Sequence, residues 1–368
     1  MNIAYLLKPK SKRRSEALKP TQSLPFGQIR TDHMLIVDYE DGQWQNARII
    51  PYGPLSISPG ATVLHYGQAL FEGGKAFMHP DGEIYTFRID KNAKRLNKSA
   101  EILCMPSIDE NFQVEAIHAL IDVDRLWFPI QEGASLYIRP FMFATEDSLG
   151  VHPSKSYKYI VILSPSGPYY PAGFTKPIRL LITKKFHRAV SGGTGESKAA
   201  GNYAASLRAG EFAKQFDASQ VLYLDAQNKY IEEAGAMNHY HIEKDGTVVI
   251  PEFTDTILRS ITSESIIELQ TSLGLKVIQK KVLLDEFIEK IKNKEIIEAG
   301  GFGTAAVVSP VGEYVLEDNT ILTVGDGSIG EYSKKIYTYY TGIQTGKIKA
   351  PYGWLKKVEK NLSFKTQN

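Results

Sequence analysis

One cysteine, Cys104, stands in a chain of 368 residues. A lone thiol excludes an intrachain disulfide and any metal site built from several cysteines, and it fits a reducing compartment such as the cytoplasm. Charge of one sign is lacking as well. The 43 Lys and Arg nearly balance the 41 Asp and Glu, so no global field points to nucleic acid or to an anionic membrane surface. No apolar run approaches the roughly 20 residues of a membrane-spanning helix. The start of the chain places apolar Ile3 to Leu7 before the basic cluster Lys8, Lys10, Lys12, Arg13 and Arg14. A secretory signal has the opposite order, so this stretch reads as a frayed basic arm. Internal repeats and low-complexity tracts are absent too.

Several catalytic motifs are also missing. The histidines at 65, 187, 239 and 241 lack the spacing of a metal site, and no Gly-x-Ser-x-Gly elbow suggests a serine hydrolase. The segment Gly192-Gly193-Thr194-Gly195-Glu196-Ser197-Lys198-Ala199 approaches a nucleotide-binding P-loop and then fails. Ser197 replaces the glycine before the lysine, and Ala199 replaces the magnesium-binding hydroxyl.

What the sequence does have is aromatic surface: 20 Tyr and 16 Phe supply cores and organic-ligand pockets equally well. Strands are expected at His33–Tyr39, Ile84–Phe87, Ser135–Arg139, Lys158–Leu163 and Ile178–Ile182, with turns at Asp41-Gly42 and Asp245-Gly246. Helices are expected from an Asp90 N-cap through Leu103, and near 114–124, 204–216, 263–273 and 284–292. Strands and helices mix without a regular βαβ alternation, which favours an α+β fold. The Pro- and Gly-rich stretch Ser164 to Gly173 is the best linker candidate. It divides the chain into a small α+β domain with a flexible arm (1–165), an interdomain loop (166–178) and a large domain (179–368).

Three segments could carry chemistry. Lys198 sits among small residues before a helix. Its amine could form a Schiff base with an aldehyde cofactor whose flat ring lies against small neighbours, or it could be a solvated loop lysine. In Tyr230-Ile231-Glu232-Glu233-Ala234-Gly235-Ala236-Met237-Asn238 the two glutamates alternate on a strand, so one should face inward. An inward carboxylate needs a cation, such as a protonated pyridine nitrogen. Thr262 and Ser263 stand at a helix start, where free amides suit a phosphate. Gly300 to Ala306 reads as a glycine-rich turn with further free amides, or as a bulge.

In this order the landmarks resemble one family, the branched-chain amino acid aminotransferases of the fold-type IV pyridoxal-phosphate group. The likeness runs from about Phe26 to Trp354. It rests on His65-Tyr66-Gly67, Phe71-Glu72-Gly73, Phe87-Arg88 with Arg95, and Tyr137-Ile138-Arg139-Pro140. Beyond the linker it rests on Gly192-Gly193 with Lys198, Gly201-Asn202-Tyr203, Glu233-Ala234-Gly235 with Asn238, and Gly303-Thr304-Ala305. The resemblance implies a two-domain α+β fold in which the larger domain has a β-barrel-like core. It implies pyridoxal 5′-phosphate as cofactor and no metal. The reaction implied is ping-pong transamination of L-leucine, L-isoleucine and L-valine with 2-oxoglutarate, and the assembly a homodimer or higher homo-oligomer.

Residue roles follow from the same resemblance. Lys198 would hold the cofactor and shuttle the substrate Cα proton. Glu233 would face the pyridine nitrogen, Tyr203 the ring's phenolic oxygen, and Leu258 the ring face. Arg95, Ile261, Thr262 and Thr304 would cup the phosphate. Phe71, Tyr66, Tyr137 and Tyr169 would wall an apolar side-chain pocket between the domains. The Thr304 and Ala305 amides would hold the α-carboxylate, and Arg139 with Tyr66 the second carboxylate of glutamate. Departures from the family pattern are Ala236 in place of Thr and Arg259-Ser260 in place of Pro-Gly. Ala306 and Ser309 stand where some relatives carry a redox-active cysteine pair. D-amino acid aminotransferases and aminodeoxychorismate lyases share the fold and remain alternatives, as does a non-catalytic cofactor-binding protein.

Overall fold

The computed structural model describes residues 1–168, 174 and 176–361. They form two units. One takes Met1–Pro171, Ser197–Ala200 and Ile343–Asn368; the other takes Ala172–Glu196 and Gly201–Gly342. The segment carrying Lys198 and the C-terminal stretch, both beyond the linker in sequence, thus join the first unit.

The first unit is built on a nine-stranded sheet. Its strands run in the order Ala4–Tyr5, Gln43–Pro51, His33–Glu40, Tyr157–Ser166, Ser135–Ala144, Gly74–Met78, Ile84–Phe87 and Leu355–Lys357, with Ala69–Phe71 paired beside Ser135–Ala144. All pairs are antiparallel except the first. Helices Ile89–Ile102 and Glu110–Val123 pack against the sheet. The first buries Ile89, Ala93, Leu96 and Ala100, the three-to-four spacing that puts one apolar face on the core. Asp109 caps the second, its carboxylate accepting from the Phe112 amide at 2.7 Å, a device worth about 1 kcal/mol.

Two expectations are corrected here. Asp90 does not cap its helix. Arg88 does, in a left-handed conformation at φ 47°, where its amide donates to the Trp354 carbonyl at 2.7 Å and its guanidinium lies 4.3 Å from the Trp354 ring. The basic arm does not fray. Ala4–Tyr5 adds a parallel strand beside Arg48 and Ile49, and Asp32 then gathers the Lys8 amine at 2.8 Å and the Arg14 amide at 2.8 Å. A buried carboxylate with two such donors ties Lys8 and the Arg14 main chain in place.

In the second unit six strands close on themselves. Met237–Glu243 pairs with Ile296–Gly303, then come Val307–Leu316, Ile178–Ile182, Gln220–Leu224 and Tyr230–Ala234, which pairs back with Met237–Glu243. Four further strands flank this ring. Closure removes the open edges of these strands and produces the barrel-like core expected from the resemblance. Leu180, Leu222, Ile231 and Tyr314 of the ring form one apolar cluster with Val249 of a flanking strand and Phe287 of helix Leu284–Lys292.

The segment Gly300 to Gly303 is strand rather than turn. A Cβ on Gly300 would lie 2.6 Å from the Tyr240 ring and 2.7 Å from the Ser309 carbonyl. Glycine is what lets Tyr240 stack on Phe302 there, with ring centroids 4.1 Å apart. The turn itself is Thr304 to Ala306. His239 and His241 are core residues. His239 Nε2 lies 3.0 Å from the Tyr314 hydroxyl, both rings meet Phe287, and burial pushes the His241 pKa down to about 3.

Candidate active site

The second unit places several of the expected residues on a hairpin. Gly235 and Ala236 form a two-residue loop, with Gly235 at φ 61°, the positive φ that such tight turns require. The turn fixes the register, so Glu233 pairs directly with Asn238. Asn238 Nδ2 donates to Glu233 Oε1 at 3.0 Å and to the Leu258 carbonyl at 2.9 Å, while the Leu258 amide donates to the same Oε1 at 3.2 Å. Oε2 is in an ion pair with the Arg188 guanidinium, both side chains being more than nine-tenths buried. Arg188 is itself fixed by the carbonyls of Gly195 and Thr256.

Glu232, on the opposite face of the strand, is buried too, at 6 % exposure. One glutamate facing inward was expected. Both are enclosed because the strand is covered on its two sides. Glu232 Oε1 accepts from the Thr256 hydroxyl.

Asn238 also organises the helix start. Its Oδ1 accepts from the Ser260 amide at 3.2 Å and the Ser263 hydroxyl at 2.9 Å. Ser260 is the N-cap of Ile261–Glu268, accepting from the Ser263 amide at 3.3 Å. The amides of Ile261 and Thr262 open that helix and have no acceptor within it. The Arg259-Ser260 departure therefore supplies a cap. Thr304 and Ala305 lie in the turn just after Phe302, which pairs with Asn238. Tyr203 is half-buried on helix Ala200–Ala213.

In the first unit Lys198 is held by its main chain. Its amide donates to Ser99 Oγ at 2.9 Å and its carbonyl accepts from the Phe71 amide at 3.2 Å. Ala199 bridges Leu70, and the Lys198 amine lies 4.8 Å from the centre of the Phe71 ring. The Arg139 guanidinium is 4.6 Å from the same ring and donates to the Tyr137 hydroxyl at 3.0 Å. Lys198, Phe71, Tyr137 and Arg139 are thus brought together. Tyr66 is 44 % exposed, and its hydroxyl goes to the Leu149 carbonyl. Tyr169 lies outside the described residues.

A model of the class IV amino-transferases matches residues 69–314. The chain belongs to that family. Among curated relatives, branched-chain-amino-acid transaminase 1 of Bacillus subtilis (strain 168) is 46% identical, the match covering 91% of this chain and 94% of the relative. The crystal structure of the Escherichia coli branched-chain amino acid aminotransferase superposes with a TM-score of 0.73 at 27% identity, over 89% of this chain and 99% of that one. The branched-chain amino acid aminotransferase of T.th., in a structure with pyridoxamine 5′-phosphate, also gives 0.73, at 25% identity, over 88% and 98%.

In this class IV aminotransferase two residues that sequence reasoning did not single out for a role bond directly to candidate site residues. Arg188 is the cation that the buried Glu233 needed. The only signal for it was that need, because His187-Arg188-Ala189 matches no motif. Glu72 was quoted only as a landmark, yet it is fully buried. It receives Arg95 Nε at 2.7 Å, Arg95 Nη2 at 2.9 Å, Asn92 Nδ2 at 2.7 Å and the Gly73 amide at 3.1 Å. Burial pushes its pKa up, but Arg95 first, then Lys198 and Asn92, carry the balance below the usual carboxylate value. Arg95, on a helix face where arginine is usually solvated, is anchored by this pair.

Proposed function

We propose that this class IV aminotransferase moves the amino group of L-leucine, L-isoleucine and L-valine to 2-oxoglutarate, using pyridoxal 5′-phosphate. The observation that carries the reading is the cluster of Lys198, Phe71, Tyr137 and Arg139 in a chain 46% identical to a curated branched-chain transaminase. The donor set fits the cofactor's chemistry. It offers a lysine amine for the aldehyde, a buried carboxylate for the ring nitrogen, and the opening amides of a helix for the phosphate. When bound, the ring accepts the electron pair left at substrate Cα once its proton is removed.

The chain's residues do the rest. Lys198 would hold the cofactor through its amine, and the same amine would take the Cα proton and return it. Glu233 would serve the ring nitrogen; its two oxygens are fixed by Asn238, the Leu258 amide and Arg188, so the carboxylate cannot rotate away. Tyr203 would donate to the phenolic oxygen, and Leu258 would cover the ring face. Ile261, Thr262, Thr304 and Arg95 would hold the phosphate, and Glu72 orients the Arg95 fork. Phe71 and Tyr137 wall the apolar side chain, with Tyr66 beside them. The Thr304 and Ala305 amides take the α-carboxylate.

Arg139 Nε is buried with no hydrogen-bond partner among the described residues, and an unpaired buried donor costs free energy until an acceptor arrives. The second carboxylate of 2-oxoglutarate supplies that acceptor, which lets one apolar pocket serve a dicarboxylate as well. The lone thiol supports a cytoplasmic setting.

The test is the absorbance spectrum of the purified protein before and after L-leucine is added without an acceptor. The yellow band should fade and return with 2-oxoglutarate. A yellow protein indifferent to leucine but responsive to a D-amino acid would instead indicate the D-amino acid reaction. Gly73 provides a second check. A Cβ there would lie 2.2 Å from the Tyr137 hydroxyl, so Gly73→Ala must push Tyr137 off its Arg139 contact. Overpacking of this kind costs about 1–3 kcal/mol. The denaturation midpoint and kcat/KM for leucine should both fall. Unchanged kcat/KM in a destabilised variant would remove Tyr137 from the substrate pocket.

A further inference from the structure

Strand Gly74–Met78 carries a lysine, Lys75, that none of the roles above uses. The sheet register sets it directly across from Tyr137, and such cross-strand partners share one face. Gly73 and Gly74 identify that face. A Cβ on Gly73 would meet the Tyr137 hydroxyl, whereas one on Gly74 would meet Ile89 and Asn92 on the helix side. Side chains alternate along a strand, so Lys75 stands with Tyr137 and diagonal to Arg139. Diagonal neighbours lie about 7–8 Å apart, within reach of a long side chain.

The strand positions around Lys75 on this face hold Phe71, Tyr137, Arg139 and Ser164, the last directly across from Tyr137. None is a carboxylate. Glu72 lies on the opposite face, where Arg95 and Asn92 of helix Ile89–Ile102 take it. Strand Ile84–Phe87, on the other side of Gly74–Met78, contributes Tyr85, whose hydroxyl goes to Asp81 Oδ2 at 3.2 Å. Lys75 is half-buried, and burial pushes its pKa down to about 8.

On the transamination reading above, we propose that Lys75 is a second cation of the substrate pocket, which takes the distal carboxylate of 2-oxoglutarate or glutamate together with Arg139 and so sorts dicarboxylates from apolar substrates. A carboxylate has two oxygens to satisfy. One accepts from Arg139 Nε, buried with no hydrogen-bond partner among the described residues, and the other from the Lys75 ammonium. Lysine suits a pocket that must also take an apolar side chain. An arginine stays charged at every working pH. The Lys75 amine can release its proton to water beside an apolar group and recover one from water beside a carboxylate. The ammonium prevails below about pH 8 and the amine above it, so dicarboxylate affinity should fall as pH rises through that value.

The test is calorimetric titration of the cofactor-loaded protein with glutarate and with 4-methylpentanoate, neither of which has an amino or oxo group to react. The ratio of the two affinities, glutarate over 4-methylpentanoate, should fall at least about fivefold from pH 7 to pH 9. Titration of the Lys198 amine acts on the carboxylate common to both acids and cancels in that ratio. Lys75→Met should lower the ratio at pH 7 at least about tenfold and flatten its pH dependence. Lys75→Arg should restore the ratio and keep it flat. The wild-type pH profile needs no variant, so the question stays answerable if a substitution here fails to fold. A flat wild-type profile, or a ratio unmoved by Lys75→Met, would overturn the role of Lys75. Turnover of leucine with 2-oxoglutarate, measured alongside, tests the transamination reading separately. Its absence beside a pH-dependent ratio would overturn that reading and leave the carboxylate site standing.

Discussion

Replacing Lys198 with alanine should abolish turnover of leucine and 2-oxoglutarate while leaving the fold in place. The expected loss in kcat is at least about a thousandfold, since positioned proton transfer alone contributes about 10²–10⁴ and the variant also loses the covalent hold on the cofactor. The fold should persist because Lys198 is anchored by main-chain atoms, its amide on Ser99 Oγ and its carbonyl on the Phe71 amide. Alanine keeps both. What the fold loses is the amine above the Phe71 ring, worth about 0.5–1 kcal/mol, and part of the positive field on Glu72. Lys198→Arg separates these roles. It keeps a cation near Phe71 and Glu72 but cannot form the Schiff base, so it should be as inactive as the alanine variant. Glutamate production and a thermal melt measure the two halves of the claim. Near-normal rates in either variant would remove Lys198 from the chemistry.

The parts of this molecule legible in the sequence are those fixed over a few residues. The Gly235-Ala236 turn sets Glu233 opposite Asn238, so the glutamate, the asparagine and the strand pair could be read together. The Asp245-Gly246 hairpin, the helix Leu284–Lys292 and the helix start near Thr262 are local in the same sense. Illegible were the partners that only the folded chain supplies. Arg188 is 45 positions from Glu233, and nothing in its neighbourhood marks it as a buried cation. The pairing of Glu72 with Arg95 spans 23 positions. Asp90 looked like a cap because capping preferences are local, yet the real terminus is set by Trp354, from the far end of the chain. The basic arm read as frayed because its order of apolar and basic residues fits no signal, and Asp32, which takes the Lys8 amine and the Arg14 amide, comes from a later segment. The glycines at 300 and 301 read as a turn, because glycine signals backbone freedom. Here glycine serves close approach to Tyr240 and Met237.

The pair of Glu72 and Arg95 leads to the second large effect. Glu72 is fully buried, and Arg95 supplies two of its donors and the largest opposing field. Removing one partner of a buried ion pair leaves an uncompensated charge, at a cost of about 3–5 kcal/mol. Arg95→Met should lose about that much in a denaturant titration, a large share of the roughly 5–15 kcal/mol typical of a folded protein. The loss should shrink when Glu72→Gln is added. The amide is neutral, so it no longer needs the guanidinium, and the double variant should be more stable than Arg95→Met alone. A double variant that merely sums the two single losses would show that the carboxylate's charge is not the cause. Acid provides an independent check. The Glu72 pKa is lowered in the folded protein, so the pair's contribution is complete above the ordinary carboxylate pKa of about 4.3 and is lost as pH falls through the lower folded value. Wild-type stability should therefore fall more steeply below about pH 4 than that of the double variant. If Arg95 also holds the cofactor's phosphate, Arg95→Met should weaken cofactor affinity beyond the effect of Glu72→Gln. Glu72→Gln leaves the guanidinium in place and loosens only its orientation. Equal cofactor affinities in the two single variants would confine Arg95 to the support of Glu72.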